Sequence, residues 1–253
     1  MAWNCWGLGN TPTIRALKTF LRGTDPSILF LSETKMFEQV TLHRISQFGF
    51  QNHCIVASVG RSRGLWILWK DDLNIEIISQ SSNLIHVIVQ GGDGRDSWHL
   101  FCLYGSPVAS HRSTLWQNMN SYAQKFDGPR CFIGDFNAIV CNDEKFGGLL
   151  VLNSNISYFN DFIQMNHLID LGYKGPAYTW TNGREIKGLI RQRLDRVLAN
   201  PEWCSCFHNA AVLHLPRIES DHAPILLNTC RNIARAPPNY KFEAHWLSHP
   251  EFL

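Results

Sequence analysis

Short apolar runs separated by turn-forming clusters recur along most of the chain. Ile28-Leu29-Phe30-Leu31 and the runs at 54–57, 65–69, 75–78, 84–89, 98–104, 131–133, 177–181, 193–198, 211–215 and 224–228 predict β-strands. Gly60-Arg61-Ser62-Arg63-Gly64, Lys70-Asp71-Asp72 and Gly91-Gly92-Asp93-Gly94 punctuate them as turns. Three segments carry helical spacing instead. Thr11 as N-cap and Pro12 in the first turn precede Ile14, Leu17, Phe20 and Leu21, which predicts a helix up to Gly23. Ser113 to Phe126, with Leu115, Trp116, Met119, Tyr122 and Ala123 on one face, predicts a second, and Tyr158 to Met165 a third. Strands outnumber helices and the connections are short, so one domain is expected over 1–233. The Pro-rich break at 234–239 and the segment 240–253 then form a linker.

Composition narrows the class. Of 253 residues, 45% are hydrophobic and 17% charged, which excludes a disordered or coiled-coil chain. Lys plus Arg number 23 against 21 Asp plus Glu, a net charge of +2, so contact with nucleic acid has to come from a local patch. The eight cysteines include no CxxC pair. Cys204-x-Cys206, with His208 or Cys230, is the nearest approach to a zinc spacing, and buried free thiols in a reducing compartment are the expectation. No run approaches the ~20 apolar residues of a membrane span, and no signal peptide is visible, so a soluble intracellular protein is expected.

The informative pattern is the residue type at strand ends. Asn4 follows Trp3, Glu33 follows the run at 28–31, Asp135 and Asn137 follow the run at 131–133, Asp195 sits in Arg193-Leu194-Asp195-Arg196, and Asp221-His222 precedes the run at 224–228. Any one of these is explained by the turn preference of Asp and Asn. Five together suggest one set of loops at one end of a sheet scaffold, where catalytic groups collect. Carboxylates and amides are hard oxygen ligands for Mg²⁺ or Mn²⁺, and with a histidine they suit metal-assisted phosphodiester hydrolysis better than zinc chemistry.

Trp3-Asn4-Cys5, Leu31-Ser32-Glu33-Thr34-Lys35, Tyr104-Gly105-Ser106-Pro107, Gly134-Asp135-Phe136-Asn137, Arg193-Leu194-Asp195-Arg196 and Ser220-Asp221-His222-Ala223-Pro224 together resemble the ordered motifs of the endonuclease/exonuclease/phosphatase superfamily. Within it, Trp3-Asn4-Cys5-Trp6-Gly7-Leu8-Gly9, Gly64 to Lys70, Tyr178 to Asn182, Leu194 to Trp203 and Lys241 to Trp246 are similar to the apurinic-endonuclease-like domain of plant LINE-type (non-LTR) retrotransposons. The resemblance implies an α/β fold, a four-layer sandwich of two mixed β-sheets flanked by helices, with the site at one end. It implies a Mg²⁺- or Mn²⁺-dependent DNA endonuclease that leaves a 3′-OH for a reverse transcriptase region absent from this chain, with the nucleus as its place of action. In that reading the metal is held by Glu33 with Asn4 and Asp221, Asp135 orients or deprotonates the attacking water, and Asn137 binds the phosphate. His222 faces the scissile phosphate, Asp195 holds His222, and Tyr104 lies near the phosphate or the leaving oxygen.

Two departures stand out. Trp6 occupies a position that is usually basic in the subgroup, and only Met1-Ala2-Trp3 precede Asn4, which reads as a shortened first strand. Lys187, Arg191, Arg193 and Arg196, with Arg184 nearby, are candidate phosphate contacts. Trp180 and Asn182 are candidates for probing a groove or stacking on a base, with core packing the alternative for Trp180, and Arg61 and Arg63 form a second basic strip. The rival functions are a phosphatase or phosphodiesterase of the same superfamily and a catalytically inactive retroelement fragment.

Overall fold

The computed structural model describes residues 1–36, 38–58, 64–91 and 97–229. Arg61, Arg63, Cys230 and the linker at 234–253 therefore lie outside the described residues. The elements in order are β1 (Ala2–Asn4), α1 (Thr11–Thr24), β2 (Ile28–Ser32), α2 (Glu38–Ile45), β3 (Asn52–Val56), β4 (Leu65–Trp69), β5 (Ile75–Gln80), β6 (Leu84–Val89), β7 (Trp98–Tyr104), α3 (Ala109–Ala123), β8 (Arg130–Asp135), β9 (Lys145–Phe146), α4 (Asn153–Met165), β10 (Ile169–Asp170), β11 (Trp180–Thr181), β12 (Arg191–Gln192), β13 (Asp195–Ala199), α5 (Pro201–Cys206), β14 (Ala211–His214) and β15 (Ile225–Asn228).

They form two six-stranded sheets, β14-β15-β1-β2-β4-β3 and β10-β13-β8-β7-β6-β5, and a three-stranded side sheet, β11-β12-β9. Each large sheet is antiparallel except for one central parallel pair, β1 with β2 and β7 with β8. Both parallel pairs are joined by a crossover helix, α1 and α3, as a parallel connection requires.

Side-chain parity builds the layers. Phe30, Leu65, Ile67, Ile85, Val87, Leu100, Cys102, Cys131, Ile133 and Val197 fill the space between the sheets. The alternate positions face outward: Trp3, Leu29, Leu31, Trp66 and Leu68 pack under Ile14, Leu17 and Phe20 of α1. Phe101, Leu103, Phe132 and Leu198 pack under Trp116 and Met119 of α3 and Phe159 and Phe162 of α4. The result is the expected four-layer sandwich, and the run of strand residues that points inward continues to Asn4, Tyr104, Asp135 and Asp195 at one end.

The helix limits differ from the sequence reading for local reasons. Asn10, not Thr11, caps α1, because its side chain accepts from the Thr13 N–H at 2.8 Å. The second helix runs 109–123, four residues earlier than expected, and the third begins at Asn153. Of the apolar run at 177–181, only Trp180–Thr181 pairs as a strand. Among the described residues no helix is long and apolar enough to cross a membrane, and the described cysteines, Cys204 and Cys206 included, are free thiols.

One buried polar cluster lies on the outer face of the second sheet. His86 is fully buried, its Nδ1 2.9 Å from the Tyr122 hydroxyl and its Nε2 3.0 Å from Nδ1 of His99. Burial first, and His99 second, lower its pKa from 6.5 to about 3. The unfolded chain therefore binds a proton that the folded one refuses, so stability is complete above pH ~6.5 and falls as the pH drops toward 3, by at most about 1.4 kcal/mol per pH unit. Urea unfolding at pH 7 and pH 5 is expected to show this slope, and His86→Gln is expected to flatten it. An unchanged slope in the variant would count against a neutral His86.

Candidate active site

The site lies where the C-terminal ends of β1, β2, β7 and β8 meet the start of β13 and the turn before β15. Register assembles half of it: Tyr104 and Asp195 are both cross-strand partners of Asp135, so the three form one row across the second sheet. The row is tight because Gly105 passes against the Phe136 carbonyl, and a side chain at Gly105 would overlap that oxygen. From the first sheet, Asn4 donates through Nδ2 to Glu33 Oε1 at 2.9 Å and to Asp135 Oδ2 at 3.0 Å, linking the two sheets.

Two connected groups of side chains result. The first is centred on Glu33, which accepts from Asn4, from the Tyr104 hydroxyl at 2.9 Å, and from Lys35 Nζ, 3.1 Å from Oε2. Burial opposes ionisation of Glu33, but Asn4, Lys35 and Tyr104 outweigh it and hold its pKa below the ordinary value. The second is the chain Asp195–His222–Asp135. His222 Nδ1 lies 2.8 Å from Asp195 Oδ2, and its Nε2 lies 3.7 Å from Asp135 Oδ2, too far for a direct hydrogen bond.

All three members of that chain are buried. Burial acts to lower the His222 pKa, but Asp195 and Asp135 overcome it and keep the ring protonated beyond the usual histidine range. For Asp135 burial dominates and, with the Asp195 charge, lifts it well above the carboxylate range against the pull of His222. A proton-hungry carboxylate beside an imidazolium that its partner orients is an acid–base pair.

Neighbours fix these groups. The Asn137 N–H donates to Asp135 Oδ1 at 2.8 Å, and Asn137 Nδ2 donates to Asp135 Oδ2 and the Gly105 carbonyl, both at 3.0 Å. Both amide hydrogens of Asn137 are thus engaged, and it braces Asp135 at the cleft wall. Likewise the Tyr104 hydroxyl is given to Glu33. Ser220 Oγ donates to the Asn4 carbonyl at 2.8 Å and accepts from the His222 N–H at 3.1 Å, and Thr179 Oγ1 accepts from the N–H groups of Leu194 and Asp195 at 2.9 and 3.0 Å. Lys35, Thr179 and Ser220 were not singled out from the sequence, although Lys35 and Ser220 stand inside the motifs quoted for Glu33 and His222.

Backbone strain collects at the same place. Trp6 (φ 49°), Glu33 (φ 53°), Lys35 (φ 51°) and Asn137 (φ 49°) are left-handed without being glycine. Such residues are uncommon, and their concentration around one cleft marks positions that the surrounding contacts over-determine.

The cleft above the site has a volume of about 370 Å³. Glu33, Asn137, Asp221 and His222 form its polar part, and Pro107, Ile139, Val151, Ile156 and Leu194 its apolar part, with Trp6, Trp180, Gln192 and Arg112 also on its walls. Asp221 is brought to the cleft as expected, its Oδ2 accepting from Trp180 Nε1 at 2.9 Å. Trp180 therefore positions a carboxylate and packs beside Ile139, Ile156 and Leu194. Asn182 is used within its own loop, donating to the Gly188 carbonyl at 2.8 Å and accepting from the Ile190 N–H at 3.0 Å.

Two of the expected phosphate contacts are corrected. Arg196 is fully buried and pairs with Glu144 Oε2 at 2.6 Å and Asp170 Oδ2 at 3.0 Å. Arg193 is nearly so and pairs with Glu144 Oε1 at 2.9 Å and Asp170 Oδ1 at 2.7 Å. For Arg196 the reason is parity: on β13 Asp195 points between the sheets, so Arg196 points outward, where its guanidinium lies 5.3 Å from the Phe159 ring centroid. Lys187 is exposed, and Arg191 lies on β12 beside Gln192 of the cleft wall.

The donor set fits a hard divalent ion at Glu33. Its carboxylate opens on the cleft, Asn4 adds a carboxamide oxygen that among the described residues is engaged by a 3.3 Å contact from the Trp6 N–H, and Asp221 adds a second carboxylate to the lining of the same cleft. Asp135, Asp195 and His222 also lie close enough together to surround an ion, with ligand atoms within 4.8 Å. We assign them to proton handling, because Asp195 and Nδ1 already bind each other and the ring is held protonated.

Two mixed sheets carrying a buried histidine–carboxylate pair and a carboxylate–amide cluster at one end define the α/β sandwich of nucleases and phosphatases. The chain belongs to the Endonuclease/Exonuclease/phosphatase family, which matches residues 1–222. Solved structures with the same fold include the AP endonuclease LMAP from Leishmania major, 17% identical with a TM-score of 0.71, the alignment covering 89% of this chain and 85% of that one. An AP endonuclease from Archaeoglobus fulgidus is 15% identical with a TM-score of 0.70, covering 90% and 97%. The endonuclease domain of TRAS1, a telomere-specific non-LTR retrotransposon, is 14% identical with a TM-score of 0.65, covering 90% and 95%. No curated protein sequence matches the chain.

Proposed function

We propose that this chain is a divalent-metal-dependent DNA endonuclease of a LINE-type retroelement from a plant. It nicks one strand in the nucleus and leaves a 3′-OH for a reverse transcriptase encoded with it. The observation that carries the hydrolytic reading is the meeting of Glu33 and Asn4 from the first sheet with Asp135 and Asp195 from the second, joined by the Asn4–Asp135 and Asp195–His222 hydrogen bonds at a cleft that Glu33 and His222 line. The family membership and the likeness to AP endonucleases and a retrotransposon endonuclease domain support it.

Glu33, Asn4 and Asp221 would hold Mg²⁺ or Mn²⁺, which would supply Lewis-acid neutralisation of the phosphate. The protein's own groups do the rest. Asp135, its two oxygens fixed by Asn4 and Asn137, accepts the proton of the attacking water. His222, with Nδ1 tied to Asp195 and Nε2 3.7 Å from Asp135 Oδ2, presents Nε2–H to the phosphate oxygens that gain charge in the transition state. Of the four basic residues expected at the DNA backbone, Lys187 and Arg191 remain the proposed contacts.

The metal assignment is tested by Glu33→Gln, which preserves the shape of the side chain but removes its charge and replaces one acceptor oxygen by a donor. Mg²⁺-supported nicking is expected to fall by at least about 10²-fold with an unchanged melting temperature. A variant that nicks with the wild-type Mg²⁺ response would remove Glu33 from the metal site. Hydrolysis of phosphomonoesters without any nicking of DNA would favour the phosphatase reading.

A further inference from the structure

Thr179 is fully buried and has no step in the mechanism above, yet its polar groups hold the backbone on both sides of the Asp195–His222 bond. Its Oγ1 accepts from the Leu194 N–H at 2.9 Å and from the Asp195 N–H at 3.0 Å. Its carbonyl accepts at 2.7 Å from the N–H of Ala223, the residue after His222, and its own N–H donates to the Gln192 carbonyl at 3.0 Å. The next two residues continue the clasp. Trp180 bridges His222 in antiparallel register, and the Thr181 N–H donates to the Asp221 carbonyl at 3.1 Å. The segment 179–181 thus joins the strand start that carries Asp195 to the turn that carries His222.

Sheet topology explains why a hydroxyl is needed there. On one side of β13, Asp195 is the partner of Asp135 on β8; on the other side, β10 pairs only with Leu198 and Ala199. Among the described residues, no strand therefore runs beside Asp195 on that second side, although Asp195 is buried. A buried N–H without an acceptor is costly, so a side-chain oxygen takes the place of the missing strand. Threonine suits the position twice over. Its hydroxyl offers two lone pairs to two N–H groups, and its branched Cβ restricts the rotation that would carry the oxygen away.

We infer that Thr179 is a positioning residue for the Asp195–His222 pair. Its hydroxyl fixes the backbone of the carboxylate and its carbonyl fixes the backbone beside the imidazole, so that two groups 27 residues apart meet at 2.8 Å. Releasing either segment lengthens that bond and turns Nε2 away from the phosphate, and a misplacement of about 1 Å can cost about 10²-fold in rate. The effect on rate rests on the endonuclease reading; the effect on the His222 hydrogen bond does not.

The test uses the full chain and two readouts: metal-supported plasmid nicking, and the proton NMR resonance of the His222 Nδ1–H, identified by its absence from His222→Ala. Thr179→Val keeps the shape of the side chain and removes the acceptor. It is expected to lower kcat by about 10–10²-fold with little change in KM, and to shift or broaden the Nδ1–H resonance. Thr179→Ser keeps the oxygen and is expected to keep the resonance and most of the rate. In a His222→Ala background, Thr179→Val is expected to cost less than about twofold, because no imidazole is left to place. Equal losses in both backgrounds, or a Thr179→Val protein with the wild-type resonance and rate, overturn the inference. Should Thr179→Val not fold, Thr179→Ser decides: retention of resonance and rate supports the oxygen's role, and loss of either at the wild-type melting temperature overturns it. A wild type that shows the resonance but does not nick DNA removes the endonuclease reading, and the resonance alone then tests Thr179.

Discussion

Replacing His222 by Ala is expected to slow metal-supported nicking by about 10²–10⁴-fold, and adding Asp195→Asn is expected to cost little more. The reason is geometric. Asp195 orients His222 through the 2.8 Å bond to Nδ1, so once the imidazole is gone the carboxylate has nothing left to orient and keeps only its charge effect on Asp135. Asp195→Asn alone should still be slow, because an amide no longer stabilises the protonated ring and can turn its NH₂ toward Nδ1. Rates for the two single variants and the double variant give the coupling directly. Fully additive losses would mean that the pair does not act as a unit.

Glu144→Ala is expected to destabilise the fold by about 3–5 kcal/mol, because it leaves two buried arginines sharing the single carboxylate of Asp170 rather than removing one surface charge. Glu144 meets Arg193 at 2.9 Å and Arg196 at 2.6 Å, its Oε2 also accepts from the Val140 N–H at 2.9 Å, and its carbonyl accepts from the Arg193 N–H at 3.0 Å. It thereby ties the loop after Asn137 to the strand that carries Asp195. Substitution of the exposed neighbour Asp143 by Ala should stay within about 0.5 kcal/mol. Urea unfolding separates the cases, and a loss below about 1 kcal/mol for Glu144→Ala would show that the network is dispensable.

The fold was readable wherever one face of a strand or helix is buried, since burial then writes its period into the sequence. The runs at 65–69, 84–89 and 98–104 coincide with β4, β6 and β7. The two-residue strands β9, β10 and β12 were invisible because they bury too little to leave a period. The site was legible as residue types at strand ends, and the structure brings Asn4, Glu33, Tyr104, Asp135, Asn137, Asp195, Asp221 and His222 to one cleft and its floor. Partners distant in sequence were not legible. Arg193 and Arg196 read as a basic patch because the acids that neutralise them, Glu144 and Asp170, lie 23 to 52 residues away. The left-handed backbone at Trp6, Glu33, Lys35 and Asn137 leaves no mark in composition or spacing at all.

The central claim is that this cleft cuts a DNA phosphodiester bond with Asp135 as the water-activating group. The most direct measurement incubates purified protein and Asp135→Asn with supercoiled plasmid in Mg²⁺ or Mn²⁺, then offers the nicked product to a DNA polymerase. Open circles are expected to form only with the wild type, to stop with EDTA, and to be extended from the nick because it carries a 3′-OH. Plasmid left intact by the wild type in both metals, or nicked equally well by Asp135→Asn, would contradict it.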